Sequence, residues 1–106
     1  MKVRLVDVAE VIRSKNAGPY ELTFDIIFRD WDMFERFCRV GAINPGLIAR
    51  IYRIRPEQVL SVVEFKPAKA VKATIVRPRP SGDLGETDVY GAQQHAPLLE
   101  LDFDLP

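Results

Sequence analysis

Residues 20–28 read Tyr-Glu-Leu-Thr-Phe-Asp-Ile-Ile-Phe, and their alternation decides the fold class of this chain. Every second side chain is apolar: Tyr20, Leu22, Phe24, Ile26 and Phe28. This is the pattern of a β-strand with one face toward a core. Ile27 interrupts the otherwise polar second face, so we expect that face to be partly covered as well. The sequence therefore predicts an interior strand over residues 20–28.

Two helices are predicted directly after this strand. Asp30 is a typical N-cap for a helix over residues 31–40, and Gly41 is a typical stop. Asn44 followed by Pro45 opens another helix, because asparagine caps well and proline suits the first helical position.

A further helix is predicted near the N-terminus, over about residues 8–15. Residues 7–10 read Asp-Val-Ala-Glu, which has the form of a capping box. The predicted helix ends at residues 16–19, Asn-Ala-Gly-Pro, where Asn and Gly accept left-handed geometry and Pro blocks continuation.

Three more strands are predicted, at residues 59–65, 70–76 and 98–103, and residues 66–69 have the length of a hairpin connection. Every charge from Phe65 to Gly82 is basic, and every charge from Asp83 onward is acidic. This division predicts that the strand near Lys72 pairs with the strand near Glu100; a basic groove for an anionic ligand is the alternative. The fold class expected is α+β, a mainly antiparallel sheet of about four strands with about three helices packed on it.

Length and composition limit the classes of protein that the chain can represent. Its 106 residues suit a single domain, residues 1–106, with a long loop at about 78–97. A formal net charge of zero argues against a nucleic-acid or anionic-membrane partner. The single cysteine, the absence of a signal-peptide pattern and the lack of a long apolar run favour a cytoplasmic protein.

The segment from Thr87 to Pro97 gathers side chains that bind ligands and transfer protons: Asp88, Tyr90, Gln93, Gln94 and His95. His95 is the only histidine, and histidine is the residue type best suited to acid–base catalysis near neutrality. Its alternative role is to fix the loop by bonding backbone groups. No metal site is expected, because one histidine and one isolated cysteine make a weak ligand set.

Ser14, Lys15 and Asn16 form the second candidate segment. Lys15 either interacts with the dipole of the predicted helix or binds a carboxylate or phosphate as a point charge. We predict that Thr87–Pro97 packs against residues 14–18, forming one polar pocket for a small anionic or hydroxylated ligand or for a partner's side chains. The alternative is that each segment serves only its own turn.

Two segments, residues 11–19 (Val-Ile-Arg-Ser-Lys-Asn-Ala-Gly-Pro) and residues 85–99 (Gly-Glu-Thr-Asp-Val-Tyr-Gly-Ala-Gln-Gln-His-Ala-Pro-Leu-Leu), resemble a bacterial family of domains of unknown function. Members of that family occur beside or fused to AtuA-like proteins, which are named for acyclic terpene utilisation. The resemblance extends from about Leu5 to Leu101, with Trp31 standing where the family often has proline.

The resemblance implies an accessory subunit or domain of a larger AtuA-like catabolic protein, contributing to a metabolite site or complex. It implies no cofactor and leaves self-association open. The alternative function is a stand-alone small enzyme or metabolite-binding domain that uses His95, Asp88 and Lys15.

Overall fold

The computed structural model describes residues 1–18, 20–76 and 95–106. Its elements, in chain order, are β1 (Lys2–Arg4), α1 (Leu5–Val8), β2 (Ala9–Asn16), β3 (Glu21–Phe28), α2 (Trp31–Val40), α3 (Pro45–Tyr52), a 3-10 turn (Pro56–Gln58), β4 (Val59–Phe65), a second 3-10 turn (Lys66–Ala68), β5 (Ala70–Val76), a 3-10 helix (Ala96–Glu100) and β6 (Asp102–Asp104). The predicted α+β class is confirmed.

The main sheet has four antiparallel strands in the order β2-β3-β5-β4. β3 therefore lies inside the sheet, which confirms the prediction made from residues 20–28. Tyr20 lies just before the strand and is largely exposed. The β4–β5 hairpin is also confirmed, and Lys69 completes its connection in a left-handed conformation (φ 53°).

The apolar face of β3 forms the floor of the core. Phe24 and Phe28 are fully buried there, and the ring centroid of Phe28 lies 4.8 Å from that of Phe37 on α2. Ile48 supplies the corresponding contact surface on α3. One face of the sheet is thus sealed by two helices, as the alternation of β3 requires.

α2 begins and ends, and α3 begins, where the sequence predicted. The side chain of Asp30 accepts a hydrogen bond from the Met33 amide, and that of Asn44 accepts one from the Leu47 amide, both at 2.9 Å. Gly41 ends α2 with φ 61°, a left-handed conformation that glycine adopts without steric penalty.

The helix predicted over residues 8–15 is wrong. α1 is a single turn with Arg4 at its cap position, and Ala9–Asn16 form β2. The capping signal at residues 7–10 is local, whereas the edge of β3 offers β2 a hydrogen-bond ladder from Ala9 to Asn16. The long-range pairing prevails, as tertiary context commonly does over intrinsic propensity.

The predicted last strand and its pairing are also wrong. Residues 96–100 form a 3-10 helix, and the short β6 pairs with β1 in a separate two-stranded sheet. Lys72 instead lies opposite Asp25 on one side and Val63 on the other. The charge partner of Lys72 is therefore buried inside the main sheet and does not belong to the acidic C-terminal segment.

Candidate functional site

Ser14 and His95 come together although 81 positions separate them in the sequence. The Oγ of Ser14 lies 3.5 Å from Nδ1 of His95, a long polar contact. Ser14 is 7% exposed on the core-facing side of β2. His95 is partly buried, and its carbonyl accepts a 2.9 Å hydrogen bond from the Leu98 amide at the start of the 3-10 helix. The contact thus joins one residue from each of the two predicted site segments.

Strand alternation separates the other two residues of the first segment. Ser14 is paired with Phe24 and Asn16 with Leu22, so both side chains lie on the core-facing side of the sheet. Lys15 is paired with Thr23 and lies on the reverse face. Asn16 consequently shares the His95 side of the sheet, and the structure does not bring Lys15 into that group.

Tyr52 adds a phenol to this end of the core. Its ring stacks on Phe24, the cross-strand neighbour of Ser14, with 4.5 Å between ring centroids. Burial raises the pKa of Tyr52 well above its ordinary value, so the hydroxyl stays protonated and can donate a hydrogen bond. Tyr52 was not among the predicted site residues; a tyrosine among the apolar positions of α3 was the available signal.

What we call the polar end of the core consists of the Ser14–His95 contact, Asn16 on the same side of β2, and Tyr52, whose ring stacks on the neighbouring Phe24. Their hydroxyl, amide, phenol and imidazole groups provide both donors and acceptors. Such groups recognise hydroxyl and carboxylate groups of a small molecule. Four predicted site residues lie outside the described residues and remain predictions: Asp88, Tyr90, Gln93 and Gln94.

A separate cleft of about 390 Å³ lies between α2 and the end of β4. Its lining combines two aromatic rings, a thiol and charges of both signs: Trp31, Phe34, Glu35, Cys38, Arg39, Glu64 and Lys66. Burial raises the pKa of the Cys38 thiol to about 12, and a hydrogen bond with Glu64 contributes in the same direction. The thiol is therefore protonated at neutral pH and is a poor nucleophile.

We expect iodoacetamide to alkylate Cys38 at least tenfold more slowly at pH 9 in the folded chain than in the urea-unfolded chain. The thiolate is the reactive form, and in the folded chain the pKa of the Cys38 thiol, about 12, lies well above its ordinary value. Because folding raises the pKa of this thiol, the protonated thiol stabilises the folded chain below pH 9. This stabilisation is lost as the pH rises toward 12. Mass spectrometry of timed samples measures both rates; equal rates would contradict a buried, protonated thiol.

The fold and this geometry define an α+β protein with a polar Ser–His contact where the sheet, α3 and the last 3-10 helix meet. The sequence profile of a family described as a domain of unknown function (DUF4387) matches residues 5–102. The chain belongs to this family. No curated protein matches the chain, and no solved structure matches it either.

Within residues 1–18, 20–76 and 95–106, no group of three or more His, Cys, Asp or Glu side chains is placed to hold a metal ion. Over the same ranges, no helix has the length and apolar character needed to cross a membrane.

Proposed function

We propose that the chain is an accessory subunit or domain of an AtuA-like catabolic protein and contributes the polar end of its core to a metabolite site. The observation that carries the proposal is the 3.5 Å contact between Ser14 and His95. It joins the two sequence segments that resemble the AtuA-associated family. The side chain of His95 makes no capping hydrogen bond to the 3-10 helix that it precedes.

The burial of Ser14 supports a functional role over a purely structural one. A hydroxyl on the core side of a strand forgoes the stabilisation that an apolar side chain of similar size would supply there. Asn16, two positions along, repeats this choice of a polar residue on the same side of β2. Polar groups at consecutive core-facing positions fit a ligand-facing surface.

The chemistry proposed for this site is recognition of a small hydroxylated or anionic metabolite, or of partner side chains. Ser14 and Asn16 would bind ligand oxygens, and His95 would accept or release a proton at its imidazole. Asp88, Tyr90, Gln93 and Gln94 are proposed to complete the site.

The second candidate is a stand-alone small enzyme or metabolite-binding domain that uses His95, Asp88 and Lys15. The observation favouring it is that an imidazole lies beside a buried hydroxyl within one chain. The reverse-face position of Lys15 favours the first candidate, because that lysine then faces a surface suited to a partner.

Purification with and without the neighbouring AtuA-like protein distinguishes the two candidates. We expect a stable heteromer by size-exclusion chromatography with light scattering. Calorimetry with lactate, malate and citrate as probes should show binding by the heteromer only. Failure of the two proteins to associate would overturn the accessory role, and binding of a probe by the isolated chain would favour the second candidate.

We expect His95→Ala to reduce probe affinity, or turnover by the heteromer, at least tenfold while the thermal midpoint changes by less than about 2 °C. The reason is that the imidazole contributes to the site through one long polar contact and adds little packing. Leu99→Ala is the matched control, because Leu99 is exposed on the same 3-10 helix.

Nuclear magnetic resonance of the single histidine provides an independent measurement. The imidazole signals of His95 should shift when the partner binds, and no other histidine of this chain can contribute. A large loss of thermal stability in His95→Ala with unchanged affinity would show that the Ser14–His95 contact is structural.

A further inference from the structure

The reverse face of the main sheet, pointing away from α2 and α3, has three ordered rows of side chains. We call this surface the open face. Pairing across β2, β3, β5 and β4 aligns an apolar row (Val11, Ile27, Ala70, Phe65), a charged row (Arg13, Asp25, Lys72, Val63) and a hydroxyl row (Lys15, Thr23, Thr74, Ser61).

The apolar part of the open face reaches solvent. Phe65 is 50% exposed and Val63 is 52% exposed, and both lie on the edge strand β4. Ala70, next to Phe65 in this row, is buried, and Ile27 on β3 and Val11 on the opposite edge strand β2 are partly buried. The free face of an antiparallel sheet is normally polar, so neighbouring half-exposed apolar side chains indicate a surface that another element covers.

The charged row surrounds one buried carboxylate with two cations. Asp25 is 2% exposed; its Oδ2 accepts a 2.9 Å hydrogen bond from Arg13 Nε, and its Oδ1 lies 4.0 Å from Lys72 Nζ. Both cationic side chains are about half exposed, so they are accessible to a second molecule while Asp25 orients them. A single carboxylate between two cations leaves one positive charge uncompensated.

The whole open face has a positive balance. Lys15 adds a third, exposed cation, and Glu21 at the end of β3 is the second carboxylate on this face. Among the residues that are paired across the four strands, the open face thus has three cations and two carboxylates. Arg13 and Lys72 belong to the row next to the apolar row. They are therefore positioned to meet carboxylates at the border of an apolar contact.

Three members of the hydroxyl row, Thr23, Thr74 and Ser61, have short side chains. The Oγ1 atoms of Thr23 and Thr74 lie 3.3 Å apart, so these two hydroxyls satisfy each other across β3 and β5. Their side chains are short, as is that of Ser61 opposite Thr74, which allows the backbone of a helix to approach closely.

We propose that the open face is the docking surface for an amphipathic helix whose apolar stripe is bordered by Asp and Glu side chains. The helix would cover Phe65 and Val63, and its carboxylates would meet Lys15, Arg13 and Lys72. It would complete a layer of helix on the second side of the sheet. A second copy of this chain is a poor occupant of the open face, because packing two copies face to face would place two positively charged surfaces against each other.

We assign this helix to the AtuA-like protein, so the inference rests on the proposed function. The test measures the affinity of the full-length chain for that protein by calorimetry at 150 mM and 500 mM NaCl. Lys15→Glu and Phe65→Asp should each weaken binding at least tenfold, and high salt should weaken binding of the unchanged chain.

Matched controls place the same chemical changes elsewhere. Lys66→Glu reverses a charge at the α2 cleft, and Trp31→Asp removes a half-exposed aromatic side chain from α2. Both controls should bind as the unchanged chain does. Thermal midpoints of all four variants establish that each one is folded, and Lys15→Glu keeps the test valid should Phe65→Asp fail to fold.

The outcomes separate the two proposals. Heteromer formation with undiminished affinity in Lys15→Glu and Phe65→Asp would overturn the docking surface and leave the accessory role standing. Absence of any heteromer would overturn the accessory role and the docking surface with it. Dimerisation of the chain alone that Phe65→Asp abolishes would show that a second copy occupies the face, which also overturns this inference.

Discussion

Replacing Phe24 with alanine is expected to lower the free energy of unfolding by about 3–5 kcal/mol. Phe24 is 0% exposed, lies on the interior strand β3 and stacks on Tyr52 at 4.5 Å. Truncation would remove this ring from between the sheet and α3 and leave a cavity that close-packed neighbours refill only in part. Urea denaturation followed by circular dichroism measures the change.

Phe65→Ala is the control for Phe24→Ala, because it deletes the same atoms from a half-exposed position in the same sheet. Its expected effect on the isolated chain is below about 1 kcal/mol, since about half of this residue is already in contact with water. A loss below about 1 kcal/mol in Phe24→Ala itself would mean that β3 does not form the floor of the core.

Replacing Arg13 with alanine is expected to cost about 2–4 kcal/mol of unfolding free energy, the second of the large effects. The reason is the partner left behind: Asp25 is 2% exposed, and Arg13 supplies its 2.9 Å hydrogen bond. Removing one member of such a pair leaves a buried charge with poor compensation. Lys72, 4.0 Å from the other carboxylate oxygen, limits the loss.

Two further variants separate this mechanism from simple loss of a surface charge. Arg55→Ala breaks the exposed 3.3 Å ion pair with Glu57 and should change stability by less than about 0.5 kcal/mol. Adding Asp25→Asn to Arg13→Ala should restore part of the loss, because the amide has no charge to compensate. A double variant less stable than Arg13→Ala would contradict the buried-charge explanation.

Most of the central part of the fold was predictable because its signals are local. The alternation in residues 20–28 predicts an interior strand, and Asp30, Gly41 and Asn44 mark helix ends through contacts within a few positions. The hairpin of β4 and β5 likewise follows from a short connection between two β-rich runs. Each of these elements depends on residues that are neighbours in the chain.

β2 was mispredicted because its signals conflict. Residues 7–10 have a helix-capping pattern, and residues 9–16 mix polar and apolar side chains on both faces. The hydrogen-bond ladder with the edge of β3 selects the extended conformation, and no local pattern encodes that pairing.

Ser14 and His95 could be selected as candidate residues from the sequence, whereas the contact between them could not be predicted in its geometry. The unusual residue types of the two segments drew attention to Ser14 and His95, which the structure places in contact. Lys15 belonged to the same prediction, which placed it on a helix. Residues 9–16 form a strand instead, and the side chain of Lys15 lies on the opposite face of the sheet. A difference of one position reverses the face in a strand, so the secondary structure decides which neighbours share a site.

By itself, the amino-acid sequence determined the α+β class, the interior strand, the capped helices and the candidate polar residues, because periodicity and capping act over a few positions. Tertiary structure alone decided that β2 is a strand, that β6 pairs with β1, and that Arg13, Asp25 and Lys72 form one row. These features join three separate strands or opposite ends of the chain. Their free energy comes from hydrogen-bond ladders and charge pairing between segments whose proximity no local pattern encodes.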